Sequence, residues 1–209
     1  MRPKWPGADT VEINYDNSGG PSSAGTIEPA TAICDEGWWA IGGGARTIPS
    51  NNPSSLKPIG SFPSNTSGTP AADDSTNPRA WTAVGLIGSP GQNGSLTEAY
   101  AICTNDTDFA VTVQHVEEMD DPETASTANS VTATCPTDRA LFSGGALAEE
   151  DDGAPQQGVH PTGTFPSNNS GTPASDDASV DSWTAVVQTG GMAATGTDSH
   201  AFALCETSG

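Results

Sequence analysis

The chain has 209 residues, with six Lys and Arg against 26 Asp and Glu and a formal charge of −20. That balance excludes a nucleic-acid binder of the usual kind and an anionic membrane surface as partner, because both need clustered basic side chains. No apolar run approaches the roughly 20 residues of a membrane span. The opening MRPKWPGADT lacks an apolar stretch, so a secretory leader is expected to have been removed or never to have existed.

Residues 1–7 read as an N-terminal arm. Prolines 3 and 6 deny it a helix and keep it extended. Arg2, Lys4 and Trp5 are expected to make an assembly contact, with Trp5 as apolar anchor and the two basic side chains against carboxylates of a neighbour. Val11-Glu12-Ile13-Asn14-Tyr15 alternates apolar and polar, which predicts a strand. The segment TAICDEGWWAIGGGA (31–45) then brings Cys34, the adjacent pair Trp38-Trp39 and the run Gly42–Gly44. A regular strand through Trp38 and Trp39 points one of them outward; a subunit contact is the expectation and a glycan platform the alternative. The glycines match no nucleotide-binding loop and no helix follows them, so close backbone packing or a β-bulge is expected. Next comes the loop SFPSNTSGTPAADD (61–74), with Asn65 and the acid pair Asp73-Asp74. Trp81 is expected as a core anchor, and AYAIC closes the unit at Cys103.

The same layout then recurs. DFAVTVQ (108–114) takes the place of the first strand, and TATCPTDRALFSGGA (132–146) that of the Cys and Gly segment. TFPSNNSGTPASDD (164–177) repeats the loop with Asn168 and Asp176-Asp177, and Trp183 and Cys205 follow. The period is about 101 residues, giving units at 8–104 and 105–206 and a C-terminal tail at 207–209. Short alternating runs between Gly, Pro, Ser and Asn clusters, with no 3.6-residue period, predict an all-β chain. It should form two tandem-duplicated sandwich or barrel-like units. Glu149–Asp152 has no counterpart in the first unit and reads as a solvated or partner-facing insertion.

Four cysteines allow three pairings, and the duplication favours Cys34–Cys103 with Cys135–Cys205, since each unit then closes itself. Such loops give roughly 4 kcal/mol each in the chain-entropy model and imply an oxidising setting. Zinc is disfavoured, since no pair has C-x₂₋₄-C spacing. Asp73, Asp74, Asp176 and Asp177 read first as solvated acidic turns and second as ligands for Ca²⁺ or Mg²⁺. Adjacent carboxylates rarely span the separation a glycosidase needs, so a hydrolase is the weakest reading. Histidines 115, 160 and 200 are not repeat-equivalent and nominate no triad. Asn65, Asn93, Asn105 and Asn168 each head an N-x-[ST] glycosylation sequon.

Few Lys, many carboxylates and small apolar side chains resemble the proteins of extreme halophiles, with an ordinary acidic secreted protein as the alternative. The layout of early Cys, Gly-rich stretch, S-x-P loop, later Trp and closing aromatic-A-x-C resembles a repeat of secreted actinobacterial proteins and of virion surface proteins. The resemblance covers nearly the whole chain, once per unit, and carries structural positions but no catalytic residue. Together with the composition it implies a structural protein of a tailed virus of a halophilic archaeon. On that reading the chain is a non-enzymatic, capsid-decorating or tail-associated protein at the virion surface. Its partners would be other virion proteins and copies of itself, with no nucleic acid, no membrane and no obligatory cofactor. A secreted or cell-surface carbohydrate-binding module is the alternative.

Overall fold

The computed structural model describes residues 11–51, 56–88, 91, 93–119, 121–150, 158–176, 180–190 and 196–207. The first repeat supplies β1 (Val11–Ser18), β2 (Thr26–Ile33), β3 (Trp39–Ile48), β4 (Leu56–Ser64), β5 (Ala80–Ile87) and β6 (Leu96–Thr104). The second supplies β7 (Ala110–Glu118), β8 (Ala128–Thr134), β9 (Leu141–Glu150), β10 (His160–Ser167), β11 (Ser182–Gln188) and β12 (Thr197–Thr207). The last strand therefore runs one residue into the segment expected as a tail.

Each repeat is a small sandwich. In unit 1 the sheet β1-β6-β3 packs on β2-β5-β4, and in unit 2 β7-β12-β9 packs on β10-β11-β8. The sheets keep open edges, so the barrel alternative falls away. Alternation places Ala99, Ala101 and Cys103 of β6 in the first core, and Ala201, Ala203 and Cys205 of β12 in the second. Side chains this small bring the two sheets close together, and the tryptophans use that closeness. A Cβ on Gly43 would lie 2.2 Å from Trp81 Cγ, and one on Gly144 2.3 Å from Trp183 Cγ. Each indole thus rests on bare backbone of the opposite sheet, which is why the Gly clusters and the Trp recur together. Register shifts beside these glycines supply the expected bulges, at Ala40/Gly42 in β3 and opposite Leu204/Cys205 in β9.

The disulfides tie sheet to sheet. Cys34 follows β2 and bonds Cys103 on β6, and Cys135 follows β8 and bonds Cys205 on β12. All four are buried.

The two units are not separate bodies. Antiparallel pairing of Gly60 with Leu147 and Ser61 with Ala146 fuses one sheet of each into a six-stranded sheet, β2-β5-β4-β9-β12-β7. Gly145 makes this approach feasible, since a Cβ there would sit 2.3 Å from the Ser61 carbonyl oxygen. Beyond the joint, Phe62 stacks on Phe202 at 5.5 Å, in a cluster with Ile59, Val84, Leu86, Val113 and Leu147. The loop after β4 then clasps β7. Asp74 N–H donates to Val113 O, Val113 N–H to Ser75 O, and Asn77 N–H to Val111 O. As a result both faces of β12 are buried, and Phe202 and Leu204 are each 0% exposed. The equivalent face of unit 1 stays open: Ile13 is 71% and Tyr15 49% exposed.

Candidate functional site

The joint closes on one side only. On the pseudo-symmetric other side, β3 and β10 face each other without pairing, and a half-open groove of about 590 Å³ lies between them. Its walls are Ile41, Ile102, Phe142 and the open flank of Trp183, and its floor is the glycine-rich β4–β9 joint. The polar groups along it are already engaged. Ser143 Oγ donates to the Ile41 carbonyl at 2.6 Å, and Trp183 Nε1 donates to Thr164 Oγ1 at 2.6 Å. Among the described residues no Asp, Glu, His, Lys, Arg or Cys lines it. A concave apolar surface bounded by two unpaired strand edges suits binding. Its described lining residues include no general acid or base.

A second cluster sits on β7, β12 and β9, beside the Phe62–Phe202 stack. His115 stacks on Phe202 at 4.4 Å, and its Nε2 lies 3.0 Å from His200 Nδ1. His200 Nε2 in turn approaches Glu149 Oε1 at 3.3 Å. His200 Nε2 is buried without a hydrogen-bond partner and faces Glu149 at ion-pair distance. Two ligand groups here are tight enough to hold a divalent cation, His115/Glu117/His200 and Glu149/Asp198/His200. Burial, and then the neighbouring His200, lowers the His115 pKa to about 4. The adjacent His200, outweighing burial, lowers that of Glu149.

This depression gives a signed pH dependence. An unfolded histidine protonates near pH 6.5 and the folded His115 near 4, so the unfolded chain binds the extra proton between those values. The His115 contribution is complete above pH 6.5 and is lost as pH falls toward 4. Allowing for water at its exposed flank, the loss is about 1–2 kcal/mol. Chemical denaturation at pH 7 and pH 4.5 should show it, and His115→Gln should shrink the difference. An equal difference in both chains would remove His115 as its source.

Asp73 and Asp74 lie exposed in a turn, as the first reading of them expects, and that turn also contacts unit 2. Asp73 Oδ1 accepts the His115 N–H and Asp74 Oδ1 the Gln114 side-chain amide, so the first pair clasps unit 2. Neither belongs to a cation-sized ligand group among the described residues. Asp176 is exposed, and Asp177 lies outside the described residues. Glu149 is exposed, as expected, but lies on β9 in register with Asp198, and Asp151 and Asp152 lie outside the described residues. Trp38 and Trp39 are both half-buried against the first core, and neither points freely outward. The strand begins only at Trp39, so strict alternation does not govern the pair. Trp183 is likewise only half-buried, whereas Trp81 is 1% exposed.

Asn65 and Asn168 shape identical turns. Asn65 Oδ1 accepts the N–H groups of Ser67 and Thr69, and Asn168 Oδ1 those of Ser170 and Thr172. Asn93 and Asn105 are exposed. Arg2, Lys4 and Trp5 lie outside the described residues.

The histidine cluster was missed because the histidines are not equivalent to each other. Their own counterparts held the signal. Superposed by strand register, His115 replaces Tyr15 and His200 replaces Glu98, and Tyr15 Oη donates to Glu98 Oε1 at 3.0 Å. One polar pair thus occupies the same place in both copies.

Comparison of the chain with protein-family models, with curated proteins and with solved structures finds no match. The fold and the groove define a class on their own: a doubly disulfide-bonded tandem β-sandwich with an open-edged apolar cleft. Its disulfides fit an extracellular or otherwise oxidising setting. Among the described residues no helix is long and apolar enough to cross a membrane.

Proposed function

We propose that the protein is a non-enzymatic structural component of a virus particle, capsid-decorating or tail-associated, working at high salt among other particle proteins and copies of itself. The observation that carries this reading is the groove, which among the described residues combines unpaired strand edges and apolar walls with no titratable side chain. Such a surface recruits protein, not a reactive small molecule. The strongly acidic composition and the disulfides support the setting. Density-gradient fractionation of the native source tests it: the protein should travel with particles and stay with them through a wash. Recovery solely as free protein would overturn the reading.

One observation favours the alternative of a carbohydrate-binding module. Trp183 shows an open flank to the groove, with hydroxyls of Thr164 and Ser143 nearby. An aromatic face ringed by hydroxyls is a surface on which a sugar ring stacks. Glycan-array binding that disappears in Trp183→Ala would support it.

A further inference from the structure

The two copies differ in charge where the closing strand meets its Gly-bearing neighbour. In unit 1, Ile48 of β3 pairs with Leu96 of β6, and two residues further along β6 stands Glu98. Both oxygens of that carboxylate are engaged: Tyr15 Oη donates to Oε1 at 3.0 Å, Tyr100 Oη donates to Oε2 at 2.9 Å, and Arg46 lies 3.5 Å from Oε2. In unit 2 the same strand positions hold Glu149 opposite Asp198, with His200 in place of Glu98 and Leu147 in place of Arg46. An apolar pair has become two carboxylates, and the guanidinium has gone.

Unit 2 thus sets two acids beside one imidazole. Asp198 and His200 are two residues apart on β12 and share a face, and Glu149 joins that face from β9. Asp198 is 6% and His200 3% exposed, whereas Glu149 reaches solvent. Neighbouring carboxylates repel, and a cation between them offsets both. One atom points to such a ligand. His200 Nε2 is buried without a hydrogen-bond partner, 3.3 Å from Glu149 Oε1. Ligand atoms of the three side chains all lie within 4.8 Å of one another. Two donors on a tetrahedral ion, each about 2.0–2.1 Å from it, are about 3.3–3.4 Å apart, so the edge from His200 to Glu149 already has the right length. On its other side the ring is held, with Nδ1 3.0 Å from His115 Nε2. A hydrogen bond there orients a ligating imidazole.

We propose that Glu149, Asp198 and His200 form a binding site for a divalent transition-metal ion of the zinc kind, held by His200 Nε2 and one oxygen of each carboxylate. The nitrogen donor favours such an ion over Ca²⁺ and Mg²⁺, which take oxygen ligands. Three protein ligands leave a fourth position, and the exposed side of Glu149 admits water to it. The grouping His115/Glu117/His200 is set aside, because His115 Nε2 is already engaged by His200 Nδ1. Bound in this way the ion ties β9 to β12 beside the joint between the units, and the folded chain gains stability from it. The inference is independent of the particle reading.

Titration of the full chain with Zn²⁺ tests it, after chelator treatment and in molar salt that screens loose association of cations with the acidic surface. A single Zn²⁺ per chain should bind, raise the melting temperature and resist displacement by excess Ca²⁺ or Mg²⁺. Co²⁺ in its place should give the intense visible bands of a tetrahedral site. Glu149→Gln, at an exposed position, should leave the melting temperature of the metal-free chain unchanged and weaken Zn²⁺ at least about 10-fold, the loss that follows when even a ligand's supporting partner is removed. Glu117→Gln should alter neither. Absence of saturable Zn²⁺ binding, or binding that Glu149→Gln leaves intact, would overturn the proposal. Loss of binding in Glu117→Gln would also overturn it, because the ion would then sit on the His115 side. Ready displacement by Ca²⁺ would do the same, since the carboxylates would then be binding without the imidazole.

Discussion

Replacing Cys34 and Cys103 together by alanine should lower stability by about 4 kcal/mol, and the pair Cys135/Cys205 should cost about as much. The sequence separations are 69 and 70 residues, and loops of that length remove entropy from the unfolded chain worth about that amount. Alanine is the right replacement because all four positions are buried, and a serine hydroxyl there would add its own desolvation cost. In a chain of this size 1 kcal/mol corresponds to roughly 2–4 °C, so each double variant should melt about 8–16 °C lower. The units share a sheet, so either loss should lower one common transition. A change below about 1 kcal/mol would mean that the cross-links hold a denatured state already compact.

Lowering the salt from molar to about 0.05 M should produce the second large effect. The screening length grows from about 3 Å toward about 14 Å, so carboxylates across the surface begin to repel. Six Lys and Arg cannot neutralise 26 acids, and the ion pair that Arg46 makes with Glu98 is exposed on the arginine side. Self-repulsion of this kind destabilises a compact state. A loss of several kcal/mol, on the order of 10 °C at roughly 2–4 °C per kcal/mol, should appear in thermal melts across the salt series. A flat melting curve would contradict adaptation to high salt and leave the fold untouched.

What the sequence made legible was whatever both copies repeat. The disulfides, the close packing at the glycines and the alternating strands each appear twice, and each depends on contacts inside one unit. The joint between units was not legible, because it uses positions at which the copies differ. Leu147 stands where unit 1 has Arg46, Phe202 where it has Tyr100, and Val113 where it has Ile13. Strand β12 carried a trace of this, since Phe202-Ala203-Leu204 is apolar on both faces, as a strand covered twice must be. Asp73 and Asp74 form the exposed turn that the sequence suggests, but their contacts with Gln114 and His115 were not legible, for the same reason. The loop sequence recurs in unit 2, but among the described residues the loop of unit 1 alone reaches the other unit.

The account depends most on the claim that the two repeats are one body, zipped along β4 and β9 and open along β3 and β10. Residue-resolved amide hydrogen exchange tests it directly. The backbone around Gly60–Ser61 and Ala146–Leu147 should exchange as slowly as the interior strands β5 and β12, through global unfolding alone. Exchange there as fast as in the unpaired edges of β1 and β8 would show two units joined by a tether, and the groove between them would vanish with the joint.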